Sequence, residues 1–448
     1  MFQNLQGKVK TGFWSLSQNK ISGAFFYLLI LFLPTQLGKH FWPNFSFVYG
    51  LRLDYLSPTI YLTDIFIFFI FLFYFQKLIL FIKKINKKYL LVFGLFLLSL
   101  VVGLTDSKNP LVGFYGIIKL LEFIFLALFI TNNFKNFNQR IIFFCFLSGI
   151  IFESLLSFLQ YFNQGSIGGI FYYFGERTFS AQTPGIANAS ISGQLFLRPY
   201  ATLSHPNVLA GFLLIAILYL FLLLPAKNGK IYLLVGVILG TMSLALTLSR
   251  TAIFLWGVYL IILVGVSMAK KHKNKILNPR FFLSAAITIV LILFLYLNFQ
   301  NSFLLQRFSL TRISDESLVQ RKELIDQSLG MFIKNPVFGV GINNFFNNLS
   351  LSSIQLKTLQ IQPVHNIFLL VLSETGIIGF FLFLYVFYKN LACLNSNRSK
   401  RERWYLLMII FSVIFLGLFD HYFLTIQQGQ IMLSIVFGTI LANKKATV

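Results

Sequence analysis

Apolar runs of about 20 residues, the length a helix needs to cross roughly 30 Å of hydrocarbon, recur along almost the whole chain. They predict spans at 20–38, 59–82, 89–104, 110–131, 141–162, 206–225, 230–248, 251–269, 281–299, 365–389, 405–421 and 428–442, about twelve in all. Most gaps are short, but 163–204 and 300–364 are long. The first is rich in Gly, Ser, Thr and Asn, and an alternation from Ile191 to Tyr200 predicts a small hairpin. In the second, Leu318, Ile325, Leu329 and Phe332 recur at helical spacing with Arg321, Glu323 and Asp326 on other faces. That pattern predicts an amphipathic helix from Glu316 to Lys334, lying over the membrane surface. Asn335-Pro336 stops it, because a residue before proline avoids helical dihedrals, and Gly339-Val340-Gly341 allows a tight return.

Composition rules out a soluble protein. Hydrophobic residues make up 57% of the sequence and charged ones 11%, whereas soluble domains carry about 25% charged. The expected fold is therefore an all-α polytopic membrane protein, residues 1–448 forming a single transmembrane domain. Positive loops stay in the cytoplasm, and every second gap is basic: Lys83, Lys84, Lys87 and Lys88 in one, Lys270, Lys271, Lys273, Lys275 and Arg280 in another, Arg398, Lys400, Arg401 and Arg403 in a third. With Lys8, Lys10, Lys20, Lys444 and Lys445, this puts both termini inside and the two long loops outside. The net charge of +24 then reads as topology plus attraction to anionic membrane lipids, not as nucleic-acid binding. The first span lacks a small-residue cleavage site, which predicts a retained anchor. Cys145 and Cys393 lie on separate segments and offer neither a disulfide framework nor metal-ligand spacing.

A charge near lipid costs about 2.5–3.5 kcal/mol on the insertion scale, so the polar residues that remain are the candidates for chemistry. They collect at the outward ends of the spans: Arg198 before the sixth, Arg250 in the turn between the seventh and eighth, Arg321 on the amphipathic helix, and His365 opening the tenth. His205, His365 and His421 all fall at outward ends. His205-Pro206-Asn207 reads as a helix start, since proline is favoured at the first helical position; His205 either caps that helix or joins a site at its mouth. Arg250 either snorkels to the headgroups or binds a ligand, and Arg321 is either a solvated charge or part of the same site. Glu374 follows His365 by nine residues, which on a straight helix turns it by about 180° and lifts it by about 13 Å. It is expected to pair within the bundle, beside close packing at Gly376 and Gly379. Asp420 and His421 either support the site or serve structure alone.

His365-Asn366, nine residues, Gly376, two residues and Gly379 resemble the signature of the O-antigen ligase and O-antigen polymerase superfamily. Arg198-Pro-Tyr-Ala-Thr-Leu-Ser-His205-Pro-Asn207, Ser249-Arg250-Thr-Ala and Asn335-Pro-Val-Phe-Gly-Val-Gly341 resemble further segments of that family, so the likeness covers about residues 195–380. Ligases of the family carry an Arg, three residues and a Leu in the large outer loop; after Arg321 that place holds Ile325. The resemblance implies a GT-C-like membrane glycosyltransferase of the bacterial cytoplasmic membrane. Such an enzyme moves a glycan from an undecaprenyl-diphosphate carrier to a lipid or glycan acceptor on the outer face, without metal or other cofactor. The residues suit that chemistry. Guanidinium groups bind phosphate bidentately, so Arg198, Arg250 and Arg321 are expected to hold the diphosphate and stabilise its departure. The outer loops hold no Asp-x-Asp motif of the kind that binds magnesium or manganese. An imidazole suits proton abstraction near neutral pH, which makes His365 the candidate base, with His205, Asn207, Asn366, Glu374, Asp420 and His421 as possible supporting residues.

Ligation and polymerisation of repeat units both fit these motifs. A transporter or flippase of lipid-linked glycan would also place Arg and His at helix ends, but it calls for inverted repeats and broken segments near mid-membrane. A headgroup-binding scaffold would tolerate loss of His365. The charge pattern itself makes a prediction about sidedness. In a background with Cys145 and Cys393 replaced by serine, Gln355→Cys should react with a membrane-impermeant thiol probe in intact cells and Lys273→Cys should not. The reverse labelling would invert the topology and put the candidate residues on the wrong side.

Overall fold

A computed structural model describes residues 20–191, 194–225, 229–269, 315–350, 361–394 and 398–442. The expected span 281–299, the basic stretch 270–280, Lys444 with Lys445, and residues 300–314 and 351–360 of the second long loop lie outside the described residues. The helices are α1 (Lys20–Leu31), α2 (Leu62–Lys84), α3 (Lys87–Thr105), α4 (Pro110–Asn133), α5 (Gln139–Asn163), α6 (Pro206–Leu223), α7 (Gly229–Leu246), α8 (Arg250–Ala269), α9 (Asp315–Lys334), α10 (Ile367–Cys393), α11 (Lys400–Gly417), the single turn α12 (Tyr422–Thr425) and α13 (Gln427–Leu441). Among them α2 to α7 and α10 are long and apolar enough to cross a membrane. The chain is thus a largely helical membrane protein.

Among the described residues, six short strands pair antiparallel in three two-stranded ribbons. Between α1 and α2, β1 (Gly38–His40) pairs with β4 (Thr59–Tyr61), and β2 (Phe47–Val48) with β3 (Leu51–Arg52). Before α6, β5 (Asn188–Ile191) pairs with β6 (Gln194–Leu197), in the register Asn188↔Leu197. The alternation up to Tyr200 therefore marks a real hairpin, shifted by a few residues toward the N-terminus.

Helix α6 sits at the centre. It is apolar on every face, as a fully surrounded helix must be, and Val208 to Phe221 are buried without a break. Helices α5, α7, α8 and α11 pack round it, while α4 and α13 pair alongside. Gly211 lets α12 come close: a Cβ there would meet the Tyr422 hydroxyl at 2.1 Å. This contact draws the α11–α12 corner over the start of α6.

Helix α10 is not continuous. Gly376 breaks it with φ 62° and ψ −166°, a region open only to glycine, and a Cβ there would lie 2.3 Å from the Val337 carbonyl oxygen. The Asn335–Gly341 turn after α9 plugs into the break. Val340 N donates to Ser373 O at 3.0 Å, Gly341 N to Glu374 O at 2.9 Å and Ile377 N to Pro336 O at 2.9 Å. The Asn-Pro…Gly-Val-Gly segment thus fixes α9 against the first half of α10, the half that begins at His365. The expected close approach at Gly376 is present, but as a backbone break filled by a loop, where simple helix-to-helix packing was expected.

Candidate active site

Three chain corners meet at one end of the bundle. At the first, Pro206 opens α6 and His205 stands before it in extended conformation, its Nδ1 accepting from Asn207 N at 3.1 Å. The helix-cap role of His205 is therefore real. At the second, Asn366 caps α10, its side chain accepting from Phe368 N at 2.9 Å and Leu369 N at 3.0 Å. The Asn366 amide also donates to Leu418 O at 3.2 Å, which ties the start of α10 to the end of α11. At the third, Asp420 and His421 occupy the corner between α11 and α12.

Asp420 joins the corners. Its Oδ2 accepts from Asn207 Nδ2 at 2.8 Å and its Oδ1 from His421 N at 2.8 Å. His365 Nδ1 faces the same Oδ1 from 3.9 Å and His421 Nε2 from 4.0 Å, both beyond hydrogen-bond length. The two imidazole rings are 5.2 Å apart. Burial pushes the Asp420 carboxyl up, but His365, His421 and His205 favour its anionic form and hold it well below the usual carboxylate range. Burial drives the His421 imidazole down to about 3, against the pull of Asp420, and drives His205 down to about 3 with help from Arg198.

The tautomers follow from the partners. Gln362 Oε1 can only accept, so His365 Nε2 donates to it at 3.0 Å and leaves Nδ1 as the basic nitrogen. His421 Nδ1 and Thr425 Oγ1 share a hydrogen bond of 2.7 Å; when the Thr425 hydroxyl donates to the His421 carbonyl at 3.2 Å, Nδ1 is the donor and Nε2 keeps its lone pair. His365 Nδ1 is buried and makes no hydrogen bond. These groups line a cavity of about 290 Å³, closed on its other walls by Tyr55, Arg177, Tyr200 and Gln362 among others. Arg177 lies over the Tyr200 ring at 5.3 Å and donates to Ser204 O at 2.7 Å.

The arginines take different places. Arg198 is buried, its Nε donating to Thr247 O and its Nη2 to Asn207 Oδ1, both at 2.8 Å. A chain Arg198–Asn207–Asp420 results. Arg250 is the first residue of α8 and is half-buried; burial and the like charge of Arg321 bring its guanidinium down from its ordinary value. The Arg321 charge reaches His421 as well, so Arg250, Arg321 and His421 share one neighbourhood. Glu374 stands apart, buried at the Gly376 break, where its Oε1 accepts from Phe345 N at 3.3 Å. Tyr55, Arg177 and Gln362 had not been singled out in the sequence. For Arg177, the visible signal was a charged pair, Glu176-Arg177, inside the glycine-rich loop.

The fold and this cluster describe a multi-pass helical membrane protein with a polar, histidine-rich cavity at the mouth of its central helix. Residues 235–384, about a third of the chain, match the family model described as O-antigen ligase. The match takes in Arg250, Arg321 and His365, and it supports placing the protein in the O-antigen ligase/polymerase superfamily. No curated protein matches the sequence.

The Arg198–Asn207–Asp420 chain has a direct test. Asn207→Ala strips one partner from a buried guanidinium and one from a buried carboxylate, and leaving such groups unsatisfied costs about 1–3 kcal/mol each. The purified variant in detergent should therefore unfold at a clearly lower temperature than wild type. An unchanged melting temperature would mean that the bridge holds nothing.

Proposed function

We propose that the protein is an O-antigen ligase-like glycosyltransferase of the bacterial cytoplasmic membrane. It takes a glycan from an undecaprenyl-diphosphate carrier and places it on an acceptor hydroxyl at the outer face. In this reading the chain crosses the membrane about twelve times, in a GT-C-like arrangement with both termini cytoplasmic and the histidine cavity outward.

The observation that carries the reading is His365: Nε2 spent on Gln362, Nδ1 basic and without a hydrogen bond, facing a cavity. A base must keep its lone pair toward the proton it takes. The acceptor oxygen attacks the anomeric carbon, its proton passes to His365 Nδ1, and the bond from that carbon to the diphosphate oxygen breaks with the electron pair staying on the diphosphate. Arg250 and Arg321 meet the negative charge that grows there, and buried Arg198 adds its charge from behind while holding Asn207 and Asp420 in place. Asp420, itself anionic, stabilises the imidazolium that forms on His365. The charge of the leaving group is thus met by arginines, with no call on a divalent cation. The reading takes the reaction as a single transfer, with polymerisation of repeat units as the alternative within the same superfamily.

Base and clamp are separable. His365→Ala and His365→Gln should both lower turnover by about 10²–10⁴ while binding the lipid-linked donor as wild type does. Arg250→Ala should weaken donor binding, and Arg250→Lys should restore it only partly, because the two-pronged contact is lost. All of these should hold in excess chelator. An active His365→Gln enzyme would reduce His365 to a structural residue, and full rescue by lysine would remove the bidentate clamp.

A further inference from the structure

His365 Nδ1 and His421 Nε2 stand 3.9 Å and 4.0 Å from Asp420 Oδ1, and one ligand atom from each of the three residues lies within 4.8 Å of the other two. With the ring protons on the outer nitrogens, toward Gln362 and Thr425, no hydrogen stands between the three atoms. Three electron-rich atoms so placed repel one another unless something electropositive lies among them. A reacting hydroxyl does so for the moment of catalysis, and a cation does so durably.

Each donor also has its far side held. Gln362 takes the outer N–H of His365, Thr425 that of His421, and Asn207 donates to the second oxygen of Asp420 at 2.8 Å. Metal-binding imidazoles and carboxylates are oriented in this way by outer partners. A point equidistant from three atoms spaced 3.9 Å, 4.0 Å and at most 4.8 Å lies roughly 2.5 Å from each, so a shift of a few tenths of an ångström gives the roughly 2.0–2.2 Å bonds of zinc to nitrogen and carboxylate oxygen. Two imidazoles and one carboxylate, with the fourth position open to the cavity, suit zinc and its neighbours and do not suit the all-oxygen preference of magnesium or calcium. The Arg321 charge, which reaches His421, acts against a bound cation.

We propose that His365, Asp420 and His421 form an inhibitory site for a divalent transition-metal ion such as Zn²⁺, which competes with the acceptor hydroxyl for His365 Nδ1. The inhibitory half rests on the reading of His365 as base; the binding half does not. Glycan transfer then needs no metal and is switched off by one.

Co²⁺ is the probe, because its visible absorption reports nitrogen and oxygen ligands whether or not the enzyme turns over. The purified full-length protein in lipid nanodiscs, stripped with chelator, should develop cobalt bands that Zn²⁺ displaces and Mg²⁺ does not. His421→Gln and Asp420→Asn, checked for monodispersity, should each weaken cobalt binding more than about 100-fold, beyond the 10–100-fold that loss of an outer partner costs. Transfer by wild type should fall as Zn²⁺ fills the site and recover with EDTA. No cobalt bands in wild type, or bands unchanged in both variants, would overturn the site. Bands that appear as expected while transfer continues undiminished would leave the metal site standing and refute both the competition and the base assignment beneath it.

Discussion

The site depends on one buried carboxylate. Asp420 carries its negative charge at the junction of three helix ends, and an ion placed there costs several kcal/mol unless donors surround it. Asn207 and the His421 backbone supply them at 2.8 Å each. Asn207 is itself fixed by Arg198, which is fixed by the Thr247 carbonyl just past the end of α7. The start of α6, the end of α7 and the α11–α12 corner are thereby locked to one another, and the start of α10 is brought in through Asn366 and Leu418. His365 ends up opposite Asp420 because of this chain of contacts, not because of anything in its own helix.

The apolar bundle sets the frame within which that lock closes. An apolar central helix surrounded on all sides leaves its N-terminus as the natural place for polar groups, since the four unpaired N–H groups of a helix start need partners. His205 meets one of those needs. The break at Gly376 does a second job: by accepting the Asn335–Gly341 turn, α10 holds α9 and its Arg321 at the same end as Arg250. Local strain at one glycine thus buttresses the electrostatics of the cavity some distance away.

Much of this was legible from residue order. The helical segments follow from hydrophobic length alone, and α9 from the spacing of Leu318, Ile325, Leu329 and Phe332. That His205, His365 and His421 stand at span ends could be read from the sequence, where polar residues near lipid are costly. What could not be read was which of them face one another. His365 and His421 are fifty-six positions apart in sequence, and only the fold shows that Asp420 lies between them. The separate fates of the arginines were hidden for the same reason. Arg198 and Arg250 look alike as basic residues before a helix, but one is spent on Thr247 and Asn207 while the other stands half-buried beside Arg321. Tyr55 and Arg177 come from segments whose sequence has no periodicity to announce a site.

The central claim is that this cavity transfers a glycan off a lipid diphosphate, and reconstitution tests it most directly. Purified protein in lipid would be given an undecaprenyl-diphosphate-linked glycan and candidate lipid acceptors, with products resolved by mass. The account predicts release of undecaprenyl diphosphate matched one-for-one by a single glycan addition to the acceptor. A ladder of lengthening glycans on the carrier would make the protein a polymerase, and donor that binds but is never cleaved with any acceptor would contradict the account.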